Sequence, residues 1–176
     1  MSILTFLGLG SEPQERSSAQ TDAVREIVDA LDRIDEDRAC FIASFGYILS
    51  RVANADRNIS PEETEAMERI LVAQGQLSPE QAEVVVKMAK LRSELFGGTD
   101  NFLVTREFRR IATYEQKLAL LDCLFAVSAA SEDISMAENN QIRQIASELG
   151  LEHSEFIQVR LGWKDRLSVL KRDLRG

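Results

Sequence analysis

Proline occurs only three times in 176 residues, and aromatic side chains make up 6% of the chain. Scarcity of both suits helices better than sheets. Histidine occurs once, as His153 in the polar start of a helix, where a solvated surface role is the plain reading. No C-x-x-C or H-E-x-x-H spacing is present, which removes the usual zinc sites. Gly8-Leu9-Gly10 lacks the third glycine and the GK[ST] of a phosphate-binding loop. Neither cysteine, Cys40 or Cys123, has a histidine placed near it by sequence. With no nucleophile–base pair, catalytic metal set or nucleotide loop, the expectation is a protein without catalytic activity.

Long apolar runs are missing too. The opening MSILTFLGLG is too short to span a bilayer, has no basic flank and no cleavage site, and does not read as a signal peptide. Its second residue is Ser2, so the glycine needed for N-myristoylation is absent. Both cysteines lie in apolar stretches, as small buried hydrophobes do, which fits a reducing, cytoplasmic compartment.

What is present is charge and apolar bulk in globular proportion, 28% and 44%. The net charge of −8 is uneven: residues 160–176 sum to +4, leaving −12 on the first 159. An acidic body argues against nucleic acid, which demands clustered Lys and Arg. The basic last helix is open to several readings: a solvated helix whose last turn favours cations through the macrodipole, or docking on the acidic body, on an acidic partner, or on an anionic membrane surface.

Residues 1–20 read as an apolar N-terminal turn followed by a flexible Gly/Ser-rich linker, and 21–176 as one helical domain. Thr21 or Asp22 caps a first helix through Ile34. The second, about 37–55, puts Phe41, Phe45, Ile48, Leu49 and Val52 on one face. Ser60-Pro61-Glu62-Glu63 opens a third that ends near Gly75, and Ser78-Pro79-Glu80-Gln81 a fourth that runs to about Phe96. A short helix follows over about 101–111. Thr113-Tyr114-Glu115-Gln116 caps a long apolar helix, and Ser135-Met136-Ala137-Glu138 another that ends at Gly150. The last begins near 153 and runs into the basic tail.

Sliding the chain by 75 residues brings Val52, Ala55, Ile59, Ser60, Glu63, Ile70 and Gly75 onto Val127, Ala130, Ile134, Ser135, Glu138, Ile145 and Gly150. Agreement of caps, helix stops and core positions in one register indicates a duplicated helix–turn–helix, with halves at about 37–96 and 113–172. The fold class expected is all-α, a single-domain bundle of about seven or eight helices, with the apolar helices of 37–55 and 114–130 packed against each other at its centre.

The duplicated element carries an acidic turn, VANADRNISPEE at 52–63 and VSAASEDISMAE at 127–138. An EF-hand is excluded, because counting from Asp56 places Pro61 where glycine is needed and Met67 where the closing Glu belongs. Two readings remain. Glu63 is the N3 member of a capping box and Asp56 bonds turn amides, or the two carboxylates converge as oxygen ligands for Ca²⁺ or Mg²⁺. Asp56 is the acid that capping does not explain, since a helix C-terminus disfavours an anion.

The pattern A-D-x-x-I-S-x-x-E at 55–63, with A-x-x-x-I-S-x-x-E at 130–138, resembles the TerB-like (tellurite resistance TerB) family over about 35–162. The resemblance implies a divalent-cation site built from acidic residues. It carries that role to Asp56 and Glu63 in the first copy and Glu138 in the second. Arg57 stands where the family usually has glycine and Ser131 where it has the second Asp, with Glu132 and Asp133 as nearby substitutes. It further implies a cytoplasmic interaction module acting in stress response through a protein partner the sequence does not identify. The alternatives are a peripheral membrane adaptor using the apolar N-terminus and basic tail, or a self-associating structural subunit without metal.

Overall fold

The computed structural model describes residues 18–53, 60–91, 101–131 and 133–167. Eight α-helices run through them: α1 Ser18–Asp32, α2 Glu36–Val52, α3 Pro61–Gln74, α4 Pro79–Lys90, α5 Asn101–Ile111, α6 Tyr114–Ser131, α7 Met136–Glu148 and α8 His153–Gly162. The chain is an all-α bundle. Its one extended contact among these residues is an isolated parallel bridge between Ile134 and Leu167.

Most helix starts follow local capping chemistry. Asp35 accepts from the amides of Asp37 and Arg38 to open α2. Ser60, Ser78 and Ser135 each accept from an N3 amide, while Glu63, Gln81 and Glu138 return the bond to the cap amide. These reciprocal pairs satisfy two of the donors a helix start leaves unpaired. The helix ends are less local. α1 starts ahead of Thr21 and stops at Asp32 rather than Ile34. The fourth helix, expected to reach Phe96, ends at Lys90, where half-buried Leu91 leaves helical geometry as it packs on the core. The last helix does not continue into the basic tail. It stops at Gly162, and one 3-10 turn, Lys164–Arg166, leads to extended Leu167.

The centre of the bundle is α2, buried without interruption from Phe41 to Val52, and α6, whose Leu120, Leu121 and Cys123–Ala129 are buried. The two touch, but neither is the other's main partner. α2 packs chiefly on α4 and α5, and α6 on α3. Phe41, Phe45 and Phe108 join α2 to α5 with ring centroids 5.2–6.1 Å apart, and Phe125 meets Phe156 of α8 at 5.9 Å. Each such ring contributes on the order of 2–3 kcal/mol by leaving water. Gly46 lets α4 approach α2 closely, since a Cβ there would lie 3.1 Å from Met88 Sδ.

The contacts pair across the two halves of the chain. α3 lies on α6 and α7 on α2, while α4 lies on α2 and α8 on α6. The caps Ser60 and Ser135 share φ and ψ to within 4°, at −65°, 162° and −69°, 162°. Gly150, with φ of 76°, then supplies the left-handed residue that ends the α7 turn.

Candidate functional site

Of the five acidic residues singled out by sequence, Glu63, Glu138 and Asp133 lie among the described residues, and Asp56 and Glu132 lie outside them. Glu63 and Glu138 occupy matching positions at the starts of α3 and α7. Glu63 Oε2 accepts from the Ser60 amide at 2.8 Å while the Glu63 amide donates to Ser60 Oγ at 3.1 Å. Glu138 Oε2 accepts from the Ser135 amide at 2.9 Å and from its hydroxyl at 2.6 Å. Both carboxylates are half-buried and held in one rotamer, with no hydrogen bond to Oε1 among the described residues. Capping therefore uses one oxygen of each carboxylate.

Other caps show the contrast. At Ser78 and Thr113 the N3 residue is glutamine: Gln81 and Gln116 accept from the cap amides at 3.2 and 2.8 Å, and Gln81 Oε1 also accepts from Arg38 Nη2 at 2.6 Å. Glu155 does the same work at α8, but its other oxygen accepts from the Tyr114 hydroxyl.

Asp133 faces a different partner. Its Oδ1 lies 3.8 Å from Arg166 Nε, on the segment that follows α8. Among the described residues no group of three or more His, Cys, Asp or Glu side chains is gathered at metal-binding distance.

The structure also shows a charged group that sequence reading passed over. Arg51, in the last turn of α2, has a side chain only 1% exposed and grips Glu148 of α7 with both terminal nitrogens, at 2.6 and 3.2 Å. Its Nη1 also donates to Thr105 Oγ1 of α5 at 2.9 Å. Three helices meet at this group. Burial alone would push the Glu148 carboxyl up, but the hydrogen bonds and charge of Arg51, with hydrogen bonds from Thr105 and Gln144, outweigh it and hold it below the ordinary range. The available signal was an arginine at the end of the apolar stripe Phe41–Val52, where burial demands a counter-ion.

The His153 ring lies 6.1 Å from Phe156. Cys123 is fully buried, and desolvation with the nearby Asp122 charge pushes its thiol up to about 12. Cys40 is half-buried and also raised, by burial and by the charges of Glu36 and Glu107.

A family model described as Tellurite resistance protein TerB matches residues 42–161. The chain belongs to the TerB family. No curated protein and no solved structure matches it. The match runs from within α2 to within α8, so it takes in both acidic turns, both capping boxes and all three members of the Arg51 group. Residues 163–167 fall outside it. No helix among the described residues of this TerB-family chain is long and apolar enough to cross a membrane.

Proposed function

We propose that this TerB-family chain is a non-catalytic, cytoplasmic interaction module of a stress response, and that its first acidic turn takes Ca²⁺ or Mg²⁺ with Glu63 as one ligand. The observation that supports this reading is the divided carboxylate of Glu63. Oε2 caps α3 and fixes the side chain, and Oε1 takes no part in the capping bond. A preorganised hard oxygen loses little side-chain freedom on binding a cation. Membership of the family agrees with a tellurite-resistance-type module, and the partner is a protein of undetermined identity. The poor nucleophilicity expected of a thiol pushed up to about 12 fits a binding role better than a catalytic one. The membrane-adaptor alternative draws on residues 1–10 and the basic tail, most of which lie outside the described residues. A self-associating subunit would show more than monomer mass by light scattering.

The decisive variant is Glu63→Gln, because Gln81 shows that this fold accepts glutamine at N3 of an equivalent box. The cap is kept and the charge is lost. Calorimetric titration of the wild type with Ca²⁺ and with Mg²⁺ should give binding heat for at least one ion, and Glu63→Gln should remove most of it. Absence of heat in the wild type, or the same heat in the variant, sinks the reading.

A further inference from the structure

The end of α8 and the five residues after it are fastened to the second half of the bundle at successive points. Arg160 Nε donates to Asn139 Oδ1 of α7 at 2.8 Å. Trp163 Nε1 donates to Asp122 Oδ1 of α6 at 2.8 Å. The Ile134 amide donates to the Arg166 carbonyl at 2.7 Å, and Leu167, 1% exposed, enters the core beside Ile134. Residues 163–167 thus form a strap across the turn between α6 and α7, the second of the two acidic turns.

The Arg166 side chain lies at the end of α6. Its guanidinium donates from Nη2 to the carbonyl of Ala129, and its Nε lies 3.8 Å from Asp133 Oδ1. Ala129 belongs to the last turn of α6, whose carbonyls have no helical partner and carry the negative end of the dipole. α6 has no basic residue of its own in that turn, whereas α2, its counterpart in the first half, ends with Arg51. A positive charge is what this position calls for on electrostatic grounds, and the strap supplies it.

We propose that Arg166 is the resident cation of the second acidic turn, and that its guanidinium latches residues 163–167 over that turn in place of a divalent ion. A metal at the Asp133 carboxylate would have to share it with a guanidinium that the Ala129 carbonyl holds beside it. The donor set therefore does not fit Ca²⁺ or Mg²⁺ at this turn, and Asp133 is a partner of Arg166 rather than a metal ligand. The second turn thus draws its neutralising charge from its own chain. Charge and strap position are coupled, so that whatever competes for Arg166 also loosens Trp163 and the chain that follows.

The test is independent of Glu63, and its first arm needs no metal. Amide hydrogen exchange and the emission of Trp163, the only tryptophan, are measured on the full chain in EDTA for the wild type, Arg166→Gln and Arg166→Lys. Arg166→Gln should speed exchange of the Ile134 amide and of 163–167 by roughly tenfold, the loss expected for a hydrogen bond to a charged group, and shift Trp163 emission to the red. Arg166→Lys, which keeps the charge but not the fork, should fall between the two. Asp133→Asn provides a second route: it should loosen the same segment while leaving α6 exchange unchanged. Wild-type exchange in 163–167 for both Arg166→Gln and Asp133→Asn overturns the proposal. So does release of the strap in the wild type on adding millimolar Mg²⁺, because the turn would then prefer the metal to the guanidinium.

Discussion

Arg51 carries a full charge on a side chain that is almost entirely out of water, and Glu148 makes this tolerable. Burying the pair costs desolvation that their attraction only partly returns, so its contribution lies more in fixing which helix meets which than in net stability. Removing one partner is a different matter. Glu148→Ala strands a buried guanidinium and should lower unfolding free energy in urea by about 3 kcal/mol or more, while Arg51→Met/Glu148→Leu should recover most of that loss. The same pair sets a pH dependence. Glu148 titrates lower in the folded chain than in the unfolded one, where a glutamate has a pKa of about 4.3. Its stabilising effect is therefore complete above that value and disappears as pH falls through the folded one. The acid limb of the stability curve should be shallower in the double variant than in the wild type, and identical limbs would remove Glu148 as its source.

At the scale of the element, most helix starts are local events and helix ends are not. Ser60, Ser78 and Ser135 each satisfy amides within three residues of themselves, so short-range chemistry suffices. Ser78→Ala and Ser135→Ala should each cost about 1 kcal/mol by urea denaturation, and the double variant about the sum, since the two caps share no partner. A loss well below this for both would mean that tertiary packing alone holds the starts of α4 and α7. These starts were legible in S-P-E-E, S-P-E-Q and S-M-A-E before any coordinates. The ends of α4 and α8 were not. Leu91 turns out of the helix as it packs on the core, and Trp163 and Leu167 are pulled toward Asp122 and Ile134, which lie more than 30 residues away in sequence. Helical periodicity runs on through Arg92 and Lys164, and nothing local reports those distant partners.

Across the whole molecule, the packing of α3 on α6 and of α7 on α2 ties the two halves together. Neither central helix is covered by its own half alone, so opening is expected to be global rather than half by half. Cys123 reports on this, being enclosed in α6 with its sulfur near Gly75 at the end of α3. With an aromatic disulfide reagent at pH 8, the native protein should release one slow equivalent, from half-buried Cys40, and the second only in denaturant. Two equivalents from the native protein would show that α3 and α6 separate readily. By itself the sequence determined the helical class, the capping boxes and the family, because these depend on neighbours within a turn or on a recognisable local pattern. Only the tertiary structure decided that Arg51 would find Glu148, that α2 and α6 would each turn mainly to other helices, and that Arg166 would close on Asp133. The two charge pairings join residues 97 and 33 positions apart, and are selected by which charges and apolar faces the packed bundle brings together.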